Sequence, residues 1–128
     1  MERQQISTGT PWEAMAGYAR AVRVGQTVYV AGTTASDAAG VVQHPGDAGA
    51  QTHYIINKIA AALAEAGSSL HDVVRTRIYV RSISDWEAVA RAHGSHFGTI
   101  CPACTLVSAT MIEPDMLVEI EAEAVILA

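Results

Sequence analysis

The sequence predicts one α+β domain in which a single sheet carries two helices on one face. Two segments, residues 47–67 and 84–98, have the apolar spacing of amphipathic helices. Several short β-prone runs surround them, and 128 residues provide one core but hardly two. The predicted order is therefore strand, strand, helix, strand, helix, strand, strand within a single domain spanning residues 1–128.

An early hairpin is predicted after an N-terminal arm. Residues 1–16 are assigned to this arm, which has no predicted role. Residues 17–24 and 27–31 are β-prone runs joined by Gly25-Gln26, a connection short enough for a hairpin. Residues 33–46 are then expected to form a loop with a short strand at 41–43.

The first helix is predicted with defined ends. Asp47 is suited to the N-cap, and Gly67 supplies a C-terminal stop. The apolar stripe between them consists of Ile55, Ile56, Ile59, Ala62, Leu63 and Ala66. This stripe is expected to face the sheet.

A strand and a second helix follow. Residues 73–80 alternate in polarity, which predicts a strand with Val74, Thr76, Ile78 and Val80 on one face. Ser84 and Glu87 have the spacing of a capping box. The apolar stripe of the second helix, which is expected to end near Gly98, consists of Trp86, Val89, Ala90, His93 and Phe97. A further strand is predicted at 103–109.

The last strand, at 117–127, alternates most regularly. Its apolar face is Val118, Ile120, Ala122 and Ala124, and its acidic face is Glu119, Glu121 and Glu123. Three carboxylates buried without partners would be costly, so the acidic face is expected to meet solvent, arginine side chains or another subunit. Arg75 and Arg77 are candidate partners.

Composition excludes several function classes. The net charge of −5 disfavours nucleic acid as a partner, because phosphate binding needs clustered Lys and Arg. No apolar run approaches the roughly 18 residues that span a bilayer, and no secretory signal is expected, which indicates a cytoplasmic protein. Half of the residues are apolar and 16% are charged, which favours a homo-oligomer with apolar surface buried between copies.

Several segments together resemble the Rid family, also called YjgF or L-PSP. They are VYVAG at 28–32, QT at 51–52, AEAG at 64–67, DVVRTRIYV at 72–80, PACT at 102–105 and VEIEA at 118–122. Each string is short, but their order along the chain is specific. The resemblance implies a chorismate-mutase-like fold and a homotrimer whose sheets surround a central barrel, with three equivalent clefts between subunits.

The resemblance also implies an activity. Enzymes of the family hydrolyse reactive enamines and imines, such as 2-aminoacrylate, to ketoacids and ammonia, and they need no cofactor or metal. By position, Glu119 matches the glutamate that orients the water, and Tyr18 matches an aromatic residue near the cleft. Ala31, Gly32 and Thr105 lie in the matched segments and are the other expected substrate contacts.

One position departs from the family pattern. Cys104 stands where the family carries an arginine that grips the substrate carboxylate. A thiol offers one weak donor and no permanent charge. The expected function is therefore a hydrolase or deaminase acting on another imine, enamine or amide-like metabolite in an intersubunit cleft. The alternative is a non-catalytic ligand-binding or regulatory trimer that uses the same cleft.

The roles of Cys104 and of the arginines stay open at this point. Three roles are open for Cys104. It is a nucleophile whose protons are handled by Glu119 or His93, or a redox sensor, or a buried side chain that only fills apolar space. The arginines are expected in ion pairs or at the surface, although any of them could supply the missing anion grip. They are Arg20, Arg23, Arg75 and Arg77.

Zinc ligands are a possible role for His93, His96, Cys101 and Cys104, whose residue types suit this metal. If the two cysteines enter a strand, positions three apart face opposite sides, so convergence on one ion is disfavoured. The histidines are instead expected to pack on the core or to cap the end of the second helix.

Overall fold

A six-stranded sheet in the order β1-β2-β3-β6-β4-β5 forms the centre of the computed structural model, which describes residues 2–127. The elements are β1 Arg3–Ile6, α1 Pro11–Ala16, β2 Ala21–Val24, β3 Thr27–Thr34, α2 Ala48–Glu65, β4 Val73–Val80, α3 Trp86–Phe97, β5 Ala103–Ser108 and β6 Val118–Val125. All neighbouring strands are antiparallel except β4 and β5, for which α3 provides the crossover. Both long helices lie on one face of the sheet, so the predicted α+β class is confirmed.

Helix α2 agrees with the prediction at both ends and along its buried face. The Asp47 side chain accepts a hydrogen bond from the Ala50 backbone N–H at 3.0 Å. Gly67 follows the helix with φ +82°, a conformation that glycine adopts without strain. The predicted apolar stripe is buried against β3 and β6. No helix among the described residues is long and apolar enough to cross a membrane.

Strand β6 is central, between β3 and β4, and its predicted alternation is confirmed. The four apolar side chains of the strand are at most 2% exposed, and the glutamates face the other side of the sheet. Arg77 of β4 is one of the two predicted partners of these glutamates. It lies 3.0 Å from Glu123 and 3.6 Å from Glu121. Arg75 instead donates to the Thr105 hydroxyl at 3.5 Å. Exposed pairs of this kind contribute little to stability.

The N-terminal arm holds more structure than its sequence indicated. Strand β1 pairs with β2 and adds a strand to the five predicted. Helix α1 follows and ends at Gly17, which has φ +75°. The strand predicted at 17–24 therefore begins only at Ala21, because residues 17–20 form the turn between α1 and the sheet.

The face predicted for Val74 of β4 is wrong. Its side chain is 47% exposed, whereas Val73 and Thr76 are buried. The register between β4 and β6 shifts between Val73 and Arg75, so Val74 is the extra residue of a β-bulge. A bulge interrupts the two-residue period on which the prediction depended.

The predicted capping box before α3 is also wrong. A 3₁₀ turn, Ile83–Asp85, precedes the helix, and the Ser84 hydroxyl is hydrogen-bonded to that of Ser82. Asp85 is the N-cap without a side-chain hydrogen bond. The helix begins one residue later than the spacing implied, and Trp86, its first residue, is 51% exposed.

Candidate functional site

A cavity of about 510 Å³ lies where β3 and β6 meet the N-terminal segment. Its walls are mostly apolar. The lining residues are Trp12, Ala16, Tyr18, Arg20, Ala31, Gly32, Thr34, Ser36, Ile112, Met116 and Glu119. Four of the residues predicted for the site, Tyr18, Ala31, Gly32 and Glu119, therefore share one cavity.

A bulge in β3 brings this set together. The register with β6 shifts between Val30 and Thr33, where β3 has one residue more than its partner. Bulges of this kind bend a strand and redirect its side chains. Ala31 and Gly32 lie within the bulge, and Glu119 is paired with Thr34 just beyond it.

Glu119 and Gly32 are in close contact. A Cβ atom built on Gly32 would overlap the Glu119 carboxylate, so the absence of a side chain at position 32 is what admits the carboxylate. Glu119 is half-buried, and burial raises its pKa, while the charge of Arg20 lowers it and that of Glu121 raises it. A raised carboxyl pKa brings the group closer to the range useful for proton transfer near neutral pH.

Replacing Gly32 with alanine is expected to displace the Glu119 carboxylate without unfolding the protein. The overlapping atoms are at the far end of a flexible side chain, so they can move aside. Any activity that depends on Glu119 should fall in Gly32→Ala to the level of Glu119→Gln. The double variant, Gly32→Ala with Glu119→Gln, should have the same turnover as either single variant. Turnover and circular dichroism would measure the two effects.

Gly94→Ala is the matched control, because a Cβ at that helical position would meet no described atom within 4 Å beyond its chain neighbours and the backbone of its own helix. It should leave turnover unchanged and should not destabilise the fold, since alanine is the better helix former. Full activity in Gly32→Ala would contradict the contact between Gly32 and Glu119.

Arg20 forms part of the cavity wall and is only 3% exposed. Its Nη1 donates to the Gly32 carbonyl at 2.6 Å and to the Thr33 hydroxyl at 3.1 Å. These bonds hold the bulge next to Glu119. The sequence alone did not distinguish Arg20 from the other arginines, because its burial depends on the tertiary fold.

Glu13 lies beside Arg20 and was missed by sequence reasoning. Its carboxylate accepts hydrogen bonds from Ser7 Oγ, from the backbone and hydroxyl of Thr8, and from Thr10 Oγ1, at 2.7 to 3.1 Å. Burial raises the pKa of Glu13, but these hydrogen bonds outweigh it and lower the pKa to about 2. The sequence signal for this interaction is the group of hydroxyl residues Ser7, Thr8 and Thr10 shortly before Glu13.

Cys104 lines a different surface. It lies in a groove of about 520 Å³ between β5 and α3, together with Ile78, Ile83, Trp86, Ala90, His93 and Leu106. The side chain is exposed, so its interpretation as a buried filler is wrong for the single chain. Within the described chain Cys104 and Glu119 line separate cavities, because β5 is the edge strand two positions away from β6.

Thr105 lines neither of these two cavities. Consecutive strand residues face opposite sides of a sheet, so Thr105 faces the acidic surface when Cys104 faces the groove. There its hydroxyl accepts the hydrogen bond from Arg75. The predicted substrate contact at Thr105 is therefore not made within one chain.

The two histidines and Cys101, three of the four candidate metal ligands, have other partners. His93 Nε2 is hydrogen-bonded to Thr76 Oγ1 at 2.9 Å, and His96 Nε2 to His53 Nδ1 at 2.8 Å. Cys101 lies in a turn with φ +53°, and its thiol is directed to the Gly98 carbonyl. Among residues 2–127, no three His, Cys, Asp or Glu side chains are grouped to hold a metal ion.

Comparisons with known proteins agree with this architecture. An uncharacterised protein of Streptomyces coelicolor is 38% identical over 122 residues, which is 94% of this chain and 90% of that protein. The 3-aminoacrylate deaminase RutC of Acinetobacter baylyi is 35% identical over 119 residues, covering 93% and 94% of the two chains.

Solved structures match over nearly the whole chain. Rv2704 from Mycobacterium tuberculosis, described as a member of the YjgF/YER057c/UK114 family, has a TM-score of 0.88 and 45% identity, with 98% of this chain and 100% of that chain covered. The family model Endoribonuclease L-PSP matches residues 8–126. The chain therefore belongs to the endoribonuclease L-PSP family, which is also known as the YjgF or Rid family.

Proposed function

We propose that this protein is a hydrolase or deaminase that acts, without a cofactor, on a small reactive imine, enamine or amide-like metabolite. The observation that carries the proposal is the half-buried Glu119 carboxylate, held above Gly32 in a mostly apolar cavity. Tyr18 and Ala31 are proposed substrate contacts in the same cavity. The cytoplasm is the proposed location.

The proposed reaction needs a positioned water and one proton carrier. The carbon of an imine, or of the imine tautomer of an enamine, is already electrophilic. Glu119 accepts a proton from water as the C–O bond forms and passes it to the imine nitrogen, which gives a carbinolamine. Glu119 then takes the hydroxyl proton of the carbinolamine as the carbonyl forms and delivers it to the same nitrogen as the C–N bond breaks. The products are a carbonyl compound and ammonia, so one water is consumed for each imine.

The relative RutC supports an enamine substrate. That protein is named a 3-aminoacrylate deaminase, and it is 35% identical to this chain over 93% of this chain's length. Its reaction is of the same class as the one Glu119 is proposed to perform. For this chain we propose the class of substrate rather than 3-aminoacrylate itself.

We further propose that three copies assemble around the acidic face of the sheet. Edge strand β5 is almost wholly exposed, and large apolar side chains, including Tyr29 and Val107, are exposed on the same sheet. A neighbouring copy would cover these side chains. It would also bring the Cys104 groove of one subunit to the Glu119 cavity of the next, which one chain alone does not do.

Sedimentation equilibrium at micromolar concentration is expected to give a mass three times the 13.5 kDa of the chain. Burial of the exposed apolar side chains provides the driving force. Val107→Lys on β5 should lower the measured mass, whereas Val41→Lys, the same change at an exposed position in the loop after β3, should not. A wild-type mass of 13.5 kDa would contradict the trimer and every site that requires two subunits.

Hydrolysis of 2-aminoacrylate is expected to be weak. Cys104 replaces the arginine of the family pattern, and a lost hydrogen bond to a charged group costs about 1.5 to 3 kcal/mol. A dehydratase would generate the enamine and ketoacid release would be followed, with 3-aminoacrylate tested in parallel. Cys104→Arg should raise 2-aminoacrylate turnover, and Cys101→Arg is the matched control. Wild-type rates equal to those of an arginine-containing relative would contradict this prediction.

The Cys104 substitution also favours a second candidate function. Without a charged group at that position, the cleft could bind a metabolite and release it unchanged, as a non-catalytic or regulatory trimer. This alternative predicts saturable ligand binding with no turnover of any enamine. The proposed enzyme requires turnover of at least one.

A further inference from the structure

Two histidines from different helices meet at the surface of the protein. The Nδ1 atom of His53 on α2 lies 2.8 Å from the Nε2 atom of His96 on α3, and the ring centroids are 5.0 Å apart with an angle of 54° between the planes. His53 is exposed and His96 is half-buried. Neither histidine lines the Glu119 cavity or the Cys104 groove, so the pair lies outside the proposed reaction.

The backbone that carries both rings is held by the core. On α2, Ile56 is fully buried one turn after His53. On α3, Phe97 is 2% exposed next to His96, and the ring of His93, one turn earlier, packs against Phe97 with 4.6 Å between centroids. Because two packed helices present the histidines, no loop has to become ordered to bring the two nitrogens together.

The spacing of the two nitrogens suits a shared transition-metal ion. Bonds from a metal to imidazole are about 2.0 to 2.1 Å long, so nitrogens at neighbouring corners of a square-planar or octahedral ion lie about 2.8 to 3.0 Å apart. A tetrahedral ion would need a separation of about 3.4 Å. The observed 2.8 Å therefore favours nickel(II) or copper(II), both of which bind imidazole well.

The protonation of the pair is compatible with metal binding. Burial, followed by the charge of His53, lowers the pKa of His96, so this ring is neutral near pH 7. An ion needs a lone pair on each nitrogen, and the ring that donates the hydrogen bond supplies one when its hydrogen moves to its other nitrogen. Rotation about χ2, which is broad for histidine, then turns both lone pairs towards the ion.

We propose that His53 and His96 form a metal-binding site for one nickel(II) or copper(II) ion, with water in the remaining coordination positions. Sequence reasoning grouped His96 with nearby cysteines, whereas its partner in the structure lies 43 residues away on α2. The bound ion links α2 to α3 and stabilises the folded chain, because the unfolded chain does not hold the two rings together. The net charge of −5 also favours a cation.

The test is a calorimetric titration of nickel(II) chloride into the untagged protein. The wild type is expected to bind one ion per chain. His53→Gln and His96→Gln should each bind it at least about tenfold more weakly, because chelation by two rings becomes binding by one. His71→Gln is the matched control, since His71 is also exposed but lies outside the pair, and it should bind nickel as the wild type does. Cys101→Ser combined with Cys104→Ser should also keep the affinity, and a loss there would assign the ion to the thiols.

A second measurement does not depend on the folding of a variant. In wild-type protein labelled with ¹⁵N-histidine, substoichiometric nickel(II) should broaden the imidazole resonances of His53 and His96 before those of His44 and His71. Nickel(II) should also raise the unfolding temperature of the wild type and of His71→Gln, but not that of His53→Gln. A wild type that binds no nickel, full affinity in folded His53→Gln or His96→Gln, or broadening that spares these two rings would each overturn the inference.

Discussion

Replacing Glu119 with glutamine is expected to lower the kcat of enamine hydrolysis by about 10²- to 10⁴-fold, the range typical of a lost general acid or base. Glutamine keeps the size of the side chain and its position above Gly32, but it accepts no proton from water. The substrate contacts of the cavity remain, so KM should change little. Steady-state kinetics on whichever aminoacrylate the wild type hydrolyses faster would measure both constants.

The pH profile provides a second readout of Glu119. Burial raises the pKa of this carboxyl, and the reaction requires its ionised form. The rate of the wild type should therefore fall as the pH decreases through the raised pKa. The residual rate of Glu119→Gln should lack this acid limb.

Glu123→Gln is the matched control for Glu119→Gln, because it makes the same change on the same face of β6, outside the cavity. It removes the exposed ion pair with Arg77 and should leave kcat within about twofold of the wild type. A fall in kcat as large as that of Glu119→Gln would assign the effect to the acidic face rather than to the cavity. Wild-type activity in Glu119→Gln would remove Glu119 from the mechanism.

Replacing Glu13 with glutamine is expected to destabilise the fold at pH 7 by about 3 kcal/mol, which corresponds to the fall of its pKa from 4.5 to about 2. The carboxylate is 4% exposed and is the acceptor for the segment of residues 7–10. Its loss would also remove the carboxylate that lies 3.6 Å from the buried Arg20 guanidinium. Urea unfolding at pH 7 would measure the difference.

The sign of the pH dependence follows from the direction of the shift. Because the folded pKa of Glu13 lies below its unfolded value, its contribution is fully present above pH 4.5 and is lost as the pH falls towards 2. The free energy of unfolding of the wild type should fall over that interval, and that of Glu13→Gln should fall less. Glu65→Gln, an exposed change at the end of α2, should leave both the stability and its pH dependence as in the wild type. Equal stability of wild type and Glu13→Gln at pH 7 would contradict the role of Glu13.

The sequence by itself determined the elements whose signals are local. The stripe of α2 between Asp47 and Gly67, and the alternation of β6, are repeated patterns of burial that a single segment displays. The likeness to the family also brought Glu119 and Gly32 together as candidates. Their contact in the structure follows from the pairing of β3 with β6.

The tertiary structure alone decided the features that depend on distant segments. The bulge at Val74 exists only in the register with β6, and the burial of Arg20 and Glu13 requires the N-terminal arm to fold against β3. The separation of Cys104 from Glu119 follows from the strand order, which places β4 between them. Local periodicity shows which side of a strand is buried, but pairing partners and charge neighbours are set by contacts between residues far apart in the chain.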